Sequence, residues 1–394
     1  MTTEFNKGQQ DRLRDKPTAE NGLGRLSRAA GLRNYVAQKG LKARPELEIC
    51  APETVGTAVI PAFNEAKGII ATLQTLESAG GLEAVVVDNN STDRTPDVVK
   101  DFAQASPMRV ALLRCPQQGY GPTRLKGLNQ VVANYVDRYP EAEHPRFIII
   151  MDADALLVPE WIEHHRKLIS DPLMGAIGVT YRFPESADQQ IEEVSGIPHY
   201  LFSLARLSNR LTAEGIAKIQ TGTKGSAIEV GAYAAIGGAK LVANDATGVS
   251  AEDRVMGDQV RVQGMKVGFN PALNIHDARR VSYEIANRIA ALQTYDVDPA
   301  EMRTRQLATR PEDIREAMRR LTKEEWRVYH RQRLESFVRR NITAPIANGE
   351  ISPIPLYNFL TEIDIQPESI GGDIGKLTDI FIRTDELLSP IYSF

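Results

Sequence analysis

Four short, unbroken apolar runs alternate with helical patterns in the first part of the chain. They are Thr57-Ala58-Val59-Ile60-Pro61, Ala84-Val85-Val86-Val87, Val110-Ala111-Leu112-Leu113 and Phe147-Ile148-Ile149-Ile150-Met151. Strands this uniformly apolar cannot leave one face in water, which predicts a mostly parallel sheet with helices on both faces. The intervening segments agree. From Ala66 to Ala79, Ile69, Ile70, Leu73 and Leu76 share one helical face, and Gly80-Gly81 ends it. Thr95-Pro96 predicts a helix start, with Thr95 as N-cap and Pro96 at the first helical position. A further helix is expected from Pro122 to about Val136.

In such a sheet, ligands bind beyond the carboxyl ends of the strands. The polar clusters of this chain fall there: Asn64-Glu65, Asp88 to Asp93, Gly119 to Arg124, and Asp152-Ala153-Asp154. Two carboxylates spaced i, i+2 after a buried strand, Asp152 and Asp154, suit a hard divalent cation, Mn²⁺ or Mg²⁺, and a ribose. An Asp-x-Asp alone is weak, since it also occurs at solvated strand ends. Asp88-Asn89-Asn90-Ser91-Thr92-Asp93 is an Asx-rich turn in which Asp88 or Asn89 could pair with a base or ribose. Gly119-Tyr120-Gly121-Pro122 lets backbone approach a ligand. Glu252-Asp253 reads either as an exposed acidic helix start or as a general base for a hydroxyl. Arg279 and Arg280 suit a diphosphate or an anionic acceptor, or a solvated face.

Composition narrows the class. The 394 residues carry a net charge of −4, which gives no basis for nucleic-acid binding. Two distant cysteines, Cys50 and Cys115, sit in no metal spacing and are expected as free buried thiols in a reducing, cytoplasmic setting. No run approaches the ~20 apolar residues of a membrane span, and Met1 to Gly40 lacks an apolar leader segment. Contact with a membrane surface and pairing of two copies remain compatible with the sequence. Residues 1–54 read as an N-terminal arm containing a helix near Leu26 to Lys39, residues 55–285 as the α/β domain, and residues 286–394 as a mainly helical extension. Thr322-Lys323-Glu324-Glu325 is a capping box within that extension.

Taken in order, the motifs resemble those of the family 2 glycosyltransferases of GT-A fold. They run from Val59 to Glu65, Val87 to Thr95, Gly119 to Gly127, Met151 to Asp154, Gly225 to Gly238, and end at Glu252-Asp253. The resemblance implies a Rossmann-like sheet and a metal-dependent enzyme. A sugar would pass from a nucleotide-diphospho-sugar donor to a hydroxyl acceptor, with inversion. It implies that Pro61, Ala62, Phe63 and Glu65 line a nucleoside pocket, with Asp88, Asn89, Gly121, Arg124 and Ala153 beside it. Asp152 would meet the ribose or metal, Asp154 and His276 the metal, and Asp253 would be the base with Glu252 as its substitute. The chain departs from the family at Asn89, where a second Asp is usual, at Arg124-Leu125, where Arg-Asn is usual, and at Glu229-Val230, where Arg-Arg is common. His276 is also similar to the metal ligand of retaining GT-A enzymes that make glycosyl-glycerates, which leaves a retaining alternative. A nucleotidyltransferase is disfavoured because Pro61-Ala62-Phe63-Asn64-Glu65 lacks a Gly-rich basic loop. A non-catalytic nucleotide-sugar sensor is disfavoured because the acidic residues are all present.

Overall fold

The computed structural model describes residues 23–141, 146–186, 189, 192–193, 200–221, 224–239, 252–276, 322–370 and 373–385. Residues 244–251, Arg279 and Arg280 lie outside it, as do the side chains of Glu252, Asp253 and His276.

Helix α1 (Leu23–Gln38) precedes β1 (Gly56–Ala62), α2 (Ile69–Ala79), β2 (Leu82–Asp88), α3 (Thr95–Ala105), β3 (Val110–Arg114), α4 (Tyr120–Arg138) and β4 (Phe147–Ile150). The second half of the sheet comprises β5 (Ala155–Leu156), α5 (Glu160–Ile169), β6 (Met174–Arg182), α6 (Tyr200–Ala213), β7 (Ser226–Glu229), α7 (Val230–Ala235), α8 (Glu252–Val262) and β8 (Lys266–His276). The strand order is β3-β2-β1-β4-β7-β6-β8-β5. The first four are mutually parallel, and β6 pairs parallel with β8. Because β7 is antiparallel to both β4 and β6, and β5 to β8, only β7 and β5 run against the rest.

The four runs read from sequence are β1 to β4, and every residue of β1 and β2 is buried. Side chains alternate between faces, as a strand period of two requires. Val59, Val85, Val87, Ile148 and Ile150 meet Leu128, Val131 and Val132 of α4. Ala58, Ile60, Val86 and Ile149 meet Ile69, Leu73 and Leu76 of α2, Val99 of α3 and Trp161 of α5. Helix α4 lies unusually close to the sheet: a Cβ on Gly127 would come within 2.5 Å of Val59 Cγ1 and 2.9 Å of Val87 Cγ2.

Helix boundaries shift from expectation by a few residues: α2 begins at Ile69 rather than Ala66, and α4 runs from Tyr120 to Arg138 rather than from Pro122 to about Val136. The cap of α3 differs too. Thr95 is the first residue of α3 and Arg94 holds the cap position without a side-chain bond. The Thr95 hydroxyl instead accepts from the Glu65 amide at 2.8 Å, so it joins two loops rather than capping its own helix.

The N-terminal segment is tied to the sheet's amino end. Tyr35 of α1 meets Tyr233 edge-on at 5.8 Å, and its hydroxyl donates to Asn129 Oδ1 at 2.8 Å. Glu83, fully buried, accepts from the amides of Cys50 (2.6 Å) and Ala51 (3.2 Å), from the Thr57 hydroxyl, and from Arg146. Arg146 in turn donates to the carbonyls of Ala51 and Thr54. Cys50 and Cys115 are both free and buried, as expected.

The C-terminal part is helical: α9 (Lys323–Val338), a π-helical turn (Arg339–Thr343), α10 (Ala344–Ala347), α11 (Ile354–Glu362) and α12 (Ile374–Thr384). Thr322 and Glu325 form the expected capping box at the start of α9. Trp326, Leu334, Leu360, Leu377 and Phe381 build a separate core with Leu207 and Leu211 of α6. Among the described residues, no helix is long and apolar enough to cross a membrane.

Candidate active site

At the carboxyl ends of β1 and β2, two loops are laced together. Asn64 takes a left-handed φ of 56°, which a short amide side chain tolerates. Its Oδ1 accepts from the Thr92 amide at 2.8 Å and the Asp93 amide at 3.3 Å. Its own amide donates to Ser91 Oγ at 3.0 Å. Pro61 and Ala62 remain inside β1, paired with Val87 and Asp88 and buried, so they form floor rather than wall. Phe63 is the first side chain to leave the sheet and is 48% exposed. Asp88, nearly buried, accepts from the Ser91 amide at 3.2 Å.

Asn89 does not offer its amide to the crevice. Its Nδ2 donates to the carbonyls of Cys115 (3.2 Å) and Gln117 (2.8 Å), and its Oδ1 accepts from the Gly119 amide at 2.8 Å. Asn89 is therefore the clamp that shapes the loop before α4. An aspartate there could not donate to those two carbonyls. Asp88 and Asn89 both stand at the end of β2, and the side chain of Asn89 is engaged by this loop.

That loop delivers Tyr120, Gly121 and Arg124 to the end of β4. Arg124 is fully buried and its guanidinium donates to Asp152 Oδ1 at 3.2 Å. The same oxygen accepts from the Tyr120 hydroxyl. The Tyr120 ring covers the guanidinium at 3.9 Å, a cation–π contact between residues i and i+4 of one helix. Asp152 is thus held by two residues of α4, Tyr120 and Arg124, which also pack on each other. Sequence reasoning singled out Arg124 and missed Tyr120, although the i, i+4 spacing from Arg124 was the signal.

The Asp152-Ala153-Asp154 segment is a tight turn, with the Ala155 amide donating to the Asp152 carbonyl at 3.2 Å. Thr72 of α2 anchors it by donating to the Ala153 carbonyl at 2.8 Å. Asp152 and Asp154 are both half-buried at the carboxyl end of β4. Strand β8 ends at His276, whose backbone pairs with Ala155, next to Asp154. Among the described residues no group of three His, Cys, Asp or Glu side chains forms a metal set. Two carboxylates on a rigid turn nevertheless suit a hard cation that keeps sites open for phosphate oxygens.

On the far side of the turn, Lys224 adopts a φ of 74° and its ammonium rests over the Tyr181 ring at 4.0 Å. Asn274, fully buried, donates to the Lys224 carbonyl at 2.8 Å and accepts from the Val158 amide at 3.2 Å. Trp161 donates to the Gly225 carbonyl at 3.0 Å. Helix α8, which begins at Glu252, is seated through Gly257, whose amide donates to Thr221 Oγ1 at 2.9 Å. Glu229 is the buried N-cap of α7, accepting from the Ala232 amide at 2.8 Å.

Residues 57–220 match the family model described as Glycosyl transferase family 2. The match takes in β1 to β6 and the Asp-x-Asp turn. The segment from Gly225, Glu252-Asp253 and His276 lie beyond it. An uncharacterized protein of Methanocaldococcus jannaschii is 32% identical over 120 residues, which is 30% of this chain and 49% of that protein. The chain therefore spans about half the length of the curated relative it matches. Crystal structures of S. aureus TarS 1–349 align over 83% of this chain and 90% of theirs, at 14% identity and a TM-score of 0.40. The same TarS segment in complex with UDP-GlcNAc gives 15% and 0.37. The likeness to TarS is too slight to transfer any detail.

Proposed function

We propose that the protein is a metal-dependent glycosyltransferase that moves a sugar from a nucleotide-diphospho-sugar to an acceptor hydroxyl with inversion. The observation that carries this reading is the Asp-x-Asp turn of a family 2 domain, with Asp152 fixed by buried Arg124. Phe63 and Asp88 border the nucleoside end of the crevice. Asp154 and His276 would hold Mn²⁺ or Mg²⁺, with Asp152 turned to the ribose or the same ion. When bound there, the ion offsets charge that builds on the diphosphate leaving group. Asp253, with Glu252 as the substitute, takes the proton of the attacking hydroxyl.

The decisive experiment incubates the protein with a panel of nucleotide-sugars and Mn²⁺ and follows release of nucleoside diphosphate. Asp253→Asn should cut that turnover by roughly a hundred- to ten-thousandfold while donor binding survives. The NMR coupling at the new anomeric centre reports the stereochemistry. A near-normal rate in Asp253→Asn, or a retained configuration, overturns the inverting assignment in favour of a retaining enzyme. Release of pyrophosphate from a nucleoside triphosphate would instead define a nucleotidyltransferase.

A further inference from the structure

The half-buried Lys224 is a cation placed at the crevice with no carboxylate within ion-pair distance among the described residues. Its position follows from sheet register. Strands β4 and β7 are antiparallel and pair Ile150 with Ser226. Two residues beyond that pair, just past the end of β4 and just before the start of β7, stand Asp152 and Lys224. On the other side, β6 pairs Tyr181 with Asn274 of β8. Tyr181 supports the ammonium and Asn274 grips the carbonyl.

A long side chain at φ 74° is strained, and such residues persist only where their surroundings over-determine them. Here the surroundings do so. The Asn274 amide holds the Lys224 carbonyl, the Gly225 amide donates to the Ile150 carbonyl at 2.9 Å, and a Cβ on Gly225 would lie 2.4 Å from Asn274 Nδ2. The backbone is held in an unfavourable conformation, and the side chain it carries is a charge resting on a ring face. A cation–π contact at a part-exposed site is worth only ~0.5–1 kcal/mol. An anion of full charge can therefore displace the ring.

We infer that Lys224 binds the terminal phosphate of the donor's diphosphate, releasing Tyr181 to engage it. The inference rests on the glycosyltransferase reading and adds a residue to it. Two cations then bracket the Asp-x-Asp turn: Arg124, which positions Asp152 from within the fold, and Lys224, which reaches the leaving group from the β7 side.

The test is calorimetry of UDP, GDP, ADP, CDP and dTDP, each beside its monophosphate, with Mn²⁺. The wild type should prefer one diphosphate over its monophosphate. Lys224→Met should lose about tenfold or more of that diphosphate affinity, the worth of one charge-assisted bond, and leave the monophosphate within about twofold. Lys224→Arg should keep most of the preference, and Lys224→Gln replaces Lys224→Met if the latter fails to fold. Unchanged diphosphate affinity in the neutral variants, or an equal loss for both nucleotides, overturns the role of Lys224 while the glycosyltransferase reading stands. A wild type that binds none of the nucleotides overturns both.

Discussion

The guanidinium of Arg124 meets Asp152 Oδ1 at 3.2 Å from a side chain with no exposure at all. A cation so buried is tolerable only when it is paired, so the pair is a structural obligation as well as a means of aiming the carboxylate. Arg124→Met should remove the charge, keep most of the volume and leave Asp152 without its internal counter-charge. The expected loss is about 3 kcal/mol of stability, the usual result of breaking a buried pair, together with weaker nucleoside diphosphate binding. Urea unfolding and calorimetry measure the two effects separately. Full stability in the variant would show that the pair is not a structural obligation.

Asp154 lies on the opposite side of Ala153 and has a different expected signature. Asp154→Ala should abolish the dependence of nucleoside diphosphate binding on Mn²⁺ while leaving thermal stability close to wild type, because the residue is only half-buried. Calorimetry with and without the ion checks this. A persisting metal dependence would place the ion elsewhere.

Gly127 sets how closely α4 approaches the sheet. Gly127→Ala would put a methyl group against Val59 and Val87, both on central strands that have no room to yield. The expected cost is about 1–3 kcal/mol, typical of overpacking. It should appear in the urea midpoint, accompanied by weaker nucleotide binding, because α4 carries Tyr120 and Arg124.

His165 gives the fold a predictable acid sensitivity. It stacks on Trp161 at 4.5 Å, with Phe147 edge-on at 5.6 Å, and neither ring nitrogen has a hydrogen-bond partner among the described residues. Burial, assisted by the charge of Arg166, pushes its pKa down to about 3. An unfolded chain takes up that proton near pH ~6.5. The folded site refuses it, so the contribution of His165 is complete above ~6.5 and falls away as the pH drops toward about 3. Between pH 7 and 5 the wild type should lose about 2 kcal/mol more than His165→Phe, read from urea midpoints at the two values. Equal losses would mean that the ring is protonated inside the fold.

Much of the architecture was legible because β1 to β4 are apolar on both faces, a pattern only a covered sheet explains. The crevice was legible for the same reason: Asp88, Arg124 and Asp152 all follow or face those strand ends. What escaped notice depended on tertiary register. Lys224 and Tyr181 are 43 positions apart in the chain, and nothing local to either foretells that β6 and the segment leading into β7 bring them together. The role of Asn89 as a loop clamp was hidden for a related reason. Its three partners, Cys115, Gln117 and Gly119, belong to a loop whose path is visible only once folded. Thr95 looked like a cap because Pro96 follows it, yet its hydroxyl serves the neighbouring loop.

The Glu83–Arg146 pair lies at the start of β2 and just before β4, where it also holds Ala51 and Thr57. Those are the amino ends of the strands, and the crevice occupies the carboxyl ends. Anchorage and recognition thus sit at opposite poles of one sheet. The protein can be tethered to a surface through its amino pole with the ligand-facing loops left turned to solution. For the same reason those loops can be exchanged in the laboratory without disturbing the knot that fastens the N-terminal segment to the sheet.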